Sequence, residues 1–125
     1  AKDPFFLYYP MMLTHSPYQP TPDSSDWDPK TSGEKAKQAP KHFGEMVAYM
    51  DKLVGKLLAK LDEFGIRDNT LVIFLGDNGT GKGTPSMMGD KLVVGGKGMT
   101  NARGMHVPLI VDWPGQAKVG TVCRD

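Results

Sequence analysis

The chain reads as an α/β fold on three observations. An apolar stripe with steps of three and four runs between Lys41 and Phe64. Short apolar runs stand on either side of it, Phe5–Tyr9 and Thr70–Leu75. A long glycine-rich loop region, residues 76–103, follows the second run. Strand, crossover helix and strand make the βαβ pattern, which predicts a parallel pair.

Phe5 to Tyr9 holds five apolar or aromatic residues without alternation, which suits a strand covered on both faces. Pro10 ends it, because proline cannot donate to a ladder. Residues 10–40 are rich in Pro, Ser, Thr, Asp and Lys and predict a surface loop too long to be a simple connection. Met46, Met50, Leu53, Leu57, Leu61 and Phe64 then mark one face of a helix, widened by Val47, Val54 and Leu58. Gly65 is placed to cap its end. Ile66–Asn69 predicts a turn, and Val107–Val111 a third short strand with Pro108 near its start. Trp113-Pro114-Gly115 marks a turn after it.

Composition excludes several function classes. Fifteen basic against 14 acidic residues leave a formal net charge of +1, and no dense basic patch forms, so no nucleic-acid partner is expected. No apolar run reaches the length of a membrane span. The first residues, Ala1-Lys2-Asp3-Pro4, lack the order of a signal peptide. Cys123 is the single cysteine, so no internal disulfide is expected.

Four residues stand out chemically. Asp77 and Asn78 end the strand at Leu75-Gly76, at the edge where open α/β sheets place ligands. A carboxylate and an amide oxygen are hard donors suited to Ca²⁺ or Mg²⁺. Two ligands fall short of the six to eight oxygens of a full calcium shell. The competing reading is an Asn-Gly turn in which Asp77 caps backbone N–H groups. Lys97 lies in Gly95-Gly96-Lys97-Gly98, where the flanking glycines allow close backbone approach and the ammonium can pair with an oxyanion. The P-loop spacing is absent, and an exposed loop lysine is the bland alternative. His15 follows the first run and would share the sheet edge with Asp77 if the strands are parallel. Lys82, His42, His106 and Arg103 are weaker candidates, and His42 reads as a surface residue at the helix start.

Three separated segments together resemble the type I sulfatases, the arylsulfatase branch of the alkaline phosphatase superfamily. They are Phe5–Tyr9 with Thr14-His15-Ser16-Pro17; Gly76-Asp77-Asn78-Gly79; and Gly96–Thr100 continuing through Val107–Val111 to Trp113-Pro114-Gly115. The resemblance implies one partial catalytic domain over residues 1–125, on part of an alkaline-phosphatase-like sheet. It makes Asp77 and Asn78 the late metal-ligand pair, for Ca²⁺ with Mg²⁺ as the alternative. His15 becomes the histidine near the leaving-group oxygen of a sulfate ester, and Lys97 the lysine on a sulfate oxygen. Members use a formylglycine nucleophile made within a Cys-or-Ser-X-Pro-X-Arg segment. No such segment occurs here, and Cys123 lies in Thr121-Val122-Cys123-Arg124. The early acidic ligand pair is also missing. The expectation is therefore a fragment of a sulfuric ester hydrolase, inactive alone and periplasmic or secreted, whose exposed strand edges favour self-association. A phosphatase or phosphonate-cleaving relative, or a non-catalytic binding module, are the alternatives.

Overall fold

In the computed structural model, which describes residues 3–31 and 38–123, the apolar stripe forms helix α1, His42–Glu63. Its C-terminal end is a Schellman motif. Gly65 takes a left-handed φ of 63°, its N–H bonds the Asp62 carbonyl at 2.9 Å, and the Ile66 N–H bonds the Leu61 carbonyl at 3.0 Å. Glycine carries no steric penalty in that conformation, so the cap follows directly from the residue present. The structure divides into two compact units, Ala1–Leu53 and Val54–Asp125.

In the first unit, Phe5–Tyr9 is exposed and forms no strand. Phe6 is 91% exposed. Apolar content marked the run, but a strand exists only through a partner, and no described residue pairs with it. The following loop turns on itself. Thr21 is buried, its N–H bonds Ser24 Oγ at 2.9 Å, and the Ser24 N–H bonds the Thr21 carbonyl at 2.8 Å. The Tyr18 ring meets Phe43 edge-on, with centroids 5.3 Å apart. Part of the predicted long loop, residues 32–37, lies outside the described residues. Met46 is the buried apolar side chain of α1, and Phe64, expected in the stripe, is exposed.

In the second unit, a 3₁₀ turn at Arg67–Asn69 leads into β1, Val72–Leu75. Its partner is β4, Leu109–Asp112, and the pairing is antiparallel, from Val72 opposite Asp112 to Leu75 opposite Leu109. The parallel βαβ pair is thereby corrected: the predicted first strand is unpaired, and β1 closes instead on the third apolar run. Arg67 anchors this pair through an ion pair from its guanidinium to the Asp112 carboxylate. Inside the region read as loop, β2 (Ser86–Met88) and β3 (Lys91–Val93) form an antiparallel hairpin. Gly89 opens its two-residue turn at φ 59°, the conformation a type II′ turn needs at that position. A four-residue helix, α2, Ala102–Met105, is capped by the Asn101 side chain accepting the Arg103 N–H at 3.1 Å. The result is a small α/β fold with two short sheets and one longer helix. Among the described residues no helix is long and apolar enough to cross a membrane.

Candidate functional site

Asp77 and Asn78 leave β1 on a loop held entirely by backbone. The Gly76 N–H continues the ladder to the Pro108 carbonyl at 3.0 Å. The Gly79 N–H bonds the Gly104 carbonyl at 2.8 Å, the Lys97 N–H bonds the Thr80 carbonyl at 3.0 Å, and the Gly96 N–H bonds the Arg103 carbonyl at 3.1 Å. Three loops are thus stitched together without side chains. The stitching demands glycine: a Cβ on Gly79 would sit 2.1 Å from the Arg103 carbonyl oxygen, and one on Gly104 2.0 Å from that of Met99.

This arrangement sets Asp77, Asn78 and Lys97 on neighbouring loops of one unit, all three exposed. Asn78 Nδ2 donates to Asp77 Oδ2, which orients the amide and leaves its oxygen and the second carboxylate oxygen as hard acceptors. His15 belongs to the other unit, in an exposed turn where its N–H bonds the Met12 carbonyl at 2.9 Å. Its ring Nδ1 lies 2.6 Å from the Ser16 carbonyl oxygen. A carbonyl can only accept, so in this hydrogen bond Nδ1 is the donor. Arg103 and His106 are exposed, and the His106 N–H closes α2 on the Ala102 carbonyl.

The first unit holds a cluster that the sequence reading passed over. His42, expected at the surface, is fully buried, with Glu45 one turn on and Asp26 from the preceding loop beside its ring. Glu45 Oε2 lies 2.6 Å from both His42 Nδ1 and Ser24 Oγ, each of which donates to it. Asp26 Oδ2 accepts from Lys41 Nζ at 2.9 Å and lies 3.7 Å from His42 Nε2. One donor atom from each of Asp26, His42 and Glu45 falls within 4.8 Å of the others, a set able to coordinate a divalent metal. The spacing His42-x-x-Glu45 was a usable signal, since residues three apart share a helix face. Asp26 offered none.

The charges in this cluster are fixed by their neighbours. The Ser24 hydroxyl, then His42, hold the Glu45 carboxyl below its ordinary 4.5, and the Lys41 hydrogen bond holds Asp26 below 3.8. Asp26 in turn raises Lys41 above 10.5. A carboxyl lowered in the folded state stabilises it above the ordinary value, and that contribution is lost as pH falls through the lowered one. The chain should therefore lose stability as pH drops below 4.5. Glu45→Gln should lower the urea midpoint at neutral pH and make the acid decline shallower. An unchanged acid slope would refute the assignment.

Comparison with known proteins now bears on these residues. The family described as Sulfatase matches residues 1–122. Human arylsulfatase A is 33% identical over 118 residues, 94% of this chain and 21% of that protein. Dog N-acetylgalactosamine-6-sulfatase is 33% identical, over 98% of this chain and 22% of its own length. Mouse steryl-sulfatase is 34% identical, over 98% of this chain and 19% of its own length. The chain thus spans about a fifth of the length of these curated relatives. No solved structure matches it significantly. With the family matched over nearly its whole length, the chain belongs to the sulfatases.

Proposed function

We propose that this chain is a central slice of a sulfuric ester hydrolase, part of an alkaline-phosphatase-like catalytic domain that cleaves a sulfate ester. The observation that carries the reading is the backbone stitching that keeps the Asp77–Asn78 loop beside the Lys97 loop. Asp77 and Asn78 fit Ca²⁺, with Mg²⁺ as the alternative, because two hard oxygens on adjacent exposed residues are free to point at one ion. A cation there would supply positive charge against the oxygens of the sulfuryl group. The Lys97 ammonium would hold a further sulfate oxygen, a charge-assisted contact that strengthens as the leaving group departs. His15, with its Nδ1 proton committed to Ser16, would carry a second proton on Nε2 and give it to the leaving oxygen.

The remaining machinery is not among these residues. Two oxygens are a minority of a calcium shell, and Cys123, exposed in Thr-Val-Cys-Arg, does not fit the formylglycine segment. The 125-residue chain should therefore show no aryl sulfate hydrolysis above buffer. The longer polypeptide containing it should hydrolyse aryl sulfate in preference to aryl phosphate. Turnover by the chain alone would overturn the assignment of the nucleophile elsewhere. A preference for phosphate would overturn the sulfatase reading.

A further inference from the structure

His42 is fully buried, yet its Nε2 has no hydrogen-bond partner, and neither has Asp26 Oδ1. A buried polar atom left without a partner is a costly feature that asks for an occupant. The two orphans belong to facing side chains, with Nε2 3.7 Å from the Asp26 carboxylate. Behind the imidazole, Glu45 accepts from Nδ1 at 2.6 Å and is itself fixed by the Ser24 hydroxyl. That hydrogen bond puts a proton on Nδ1 and leaves Nε2 facing the Asp26 carboxylate.

We propose that His42 Nε2 and Asp26 bind a divalent transition ion of the zinc class, with Glu45 orienting the imidazole from behind. The pairing of a carboxylate, a histidine and a metal is the arrangement by which proteins fix a ligating imidazole. One nitrogen and one carboxylate oxygen favour zinc-class ions over Ca²⁺ or Mg²⁺, which take oxygen shells. Ligand atoms about 2.0–2.2 Å from zinc stand about 3.4 Å apart across a tetrahedral angle, so the 3.7 Å between Nε2 and the nearer carboxylate oxygen, Oδ2, needs only a small closure, or a turn of the carboxylate that presents Oδ1. Solvent would fill the other positions. Lys41 neutralises Asp26 Oδ2 and leaves Oδ1 available. The site uses none of the residues assigned to sulfate chemistry, so it stands or falls independently of that reading.

The test is a Co²⁺ titration of the 125-residue chain, followed by its visible absorption, with Zn²⁺ as competitor. One equivalent should give an intense tetrahedral-type spectrum that Zn²⁺ abolishes. Asp26→Asn and His42→Gln should weaken binding at least about tenfold, and Glu45→Gln about tenfold with the spectrum retained. Asp90→Asn, at an exposed carboxylate on the β2–β3 turn, should leave it unchanged. Should His42→Gln lose its helical circular dichroism, imidazole nitrogen NMR of the unsubstituted chain decides. On adding Zn²⁺ the Nε2 signal of His42 should shift, and those of His15 and His106 should not. No absorption, binding that survives His42→Gln, loss in Asp90→Asn, or a shift at another histidine would each overturn the proposal.

Discussion

Replacing Gly104 with alanine should cost the chain about 3 kcal/mol of stability, at the upper end for overpacking. The added methyl would lie 2.0 Å from the Met99 carbonyl oxygen and 2.6 Å from that of Gly96. Both are backbone atoms, so no rotamer change relieves the clash. The loops would have to part, and with them the bonds from Gly79 to Gly104 and from Gly96 to Arg103. A loss of that size is a large share of the total for a chain this short. Gly83→Ala is the matched control, because nothing lies within 4 Å of its added methyl. Urea midpoints of the two variants should differ clearly, and hydrogen exchange at the Gly79 amide should accelerate only in Gly104→Ala. Equal midpoints would show that the three loops are not held as described.

In a polypeptide that joins these residues to the rest of the proposed sulfatase domain, Asp77→Ala should lower aryl sulfate turnover by about 10²–10³-fold, the scale for removing one preorganised charge-stabilising contact. The carboxylate is the charged member of the pair, so its loss removes both a ligand and the attraction for the cation. Asp77→Asn keeps an oxygen without the charge and should recover part of the rate when Ca²⁺ is raised. Lys97→Ala should reduce kcat/KM as well, without a response to Ca²⁺. The double variant should fall by less than the product of the two, since both groups act on the same oxygens. An Asp77→Ala enzyme with normal kcat/KM would remove this pair from the mechanism.

Much of the local structure was legible in the residues. The stripe from Met46 to Leu61 and the glycine after it carried α1 to within a residue at each end. The run Val72–Leu75 carried β1, and its polar sequel placed Asp77 and Asn78 on the loop beyond it. Pairing was not legible, because apolar content says that a strand wants cover and not which segment supplies it. Hence Phe5–Tyr9 was read as a partner for β1, when Leu109–Asp112 fills that place. The hairpin Ser86–Val93 escaped because its strands are three residues long and wholly exposed, with no alternation to detect. The glycines around Lys97 signalled close approach, but only the structure shows that Gly95 meets Thr80 and Gly96 meets Arg103. His42 was misjudged for a related reason: the preceding loop folds back beside its ring, bringing Asp26 within 3.7 Å, and that loop has no periodic relation to the helix.

The stitched loops also limit how such an enzyme can be altered. Where backbone meets backbone, spacing is set by peptide geometry, which is the same for every sequence. No conservative exchange at Gly79 or Gly104 can move Asp77 slightly nearer to Lys97 or farther from it. Directed evolution aimed at these positions should return inactive clones and few improved ones. Libraries placed on the exposed Met87, Met88 and Leu92 of the intervening hairpin leave the stitching untouched.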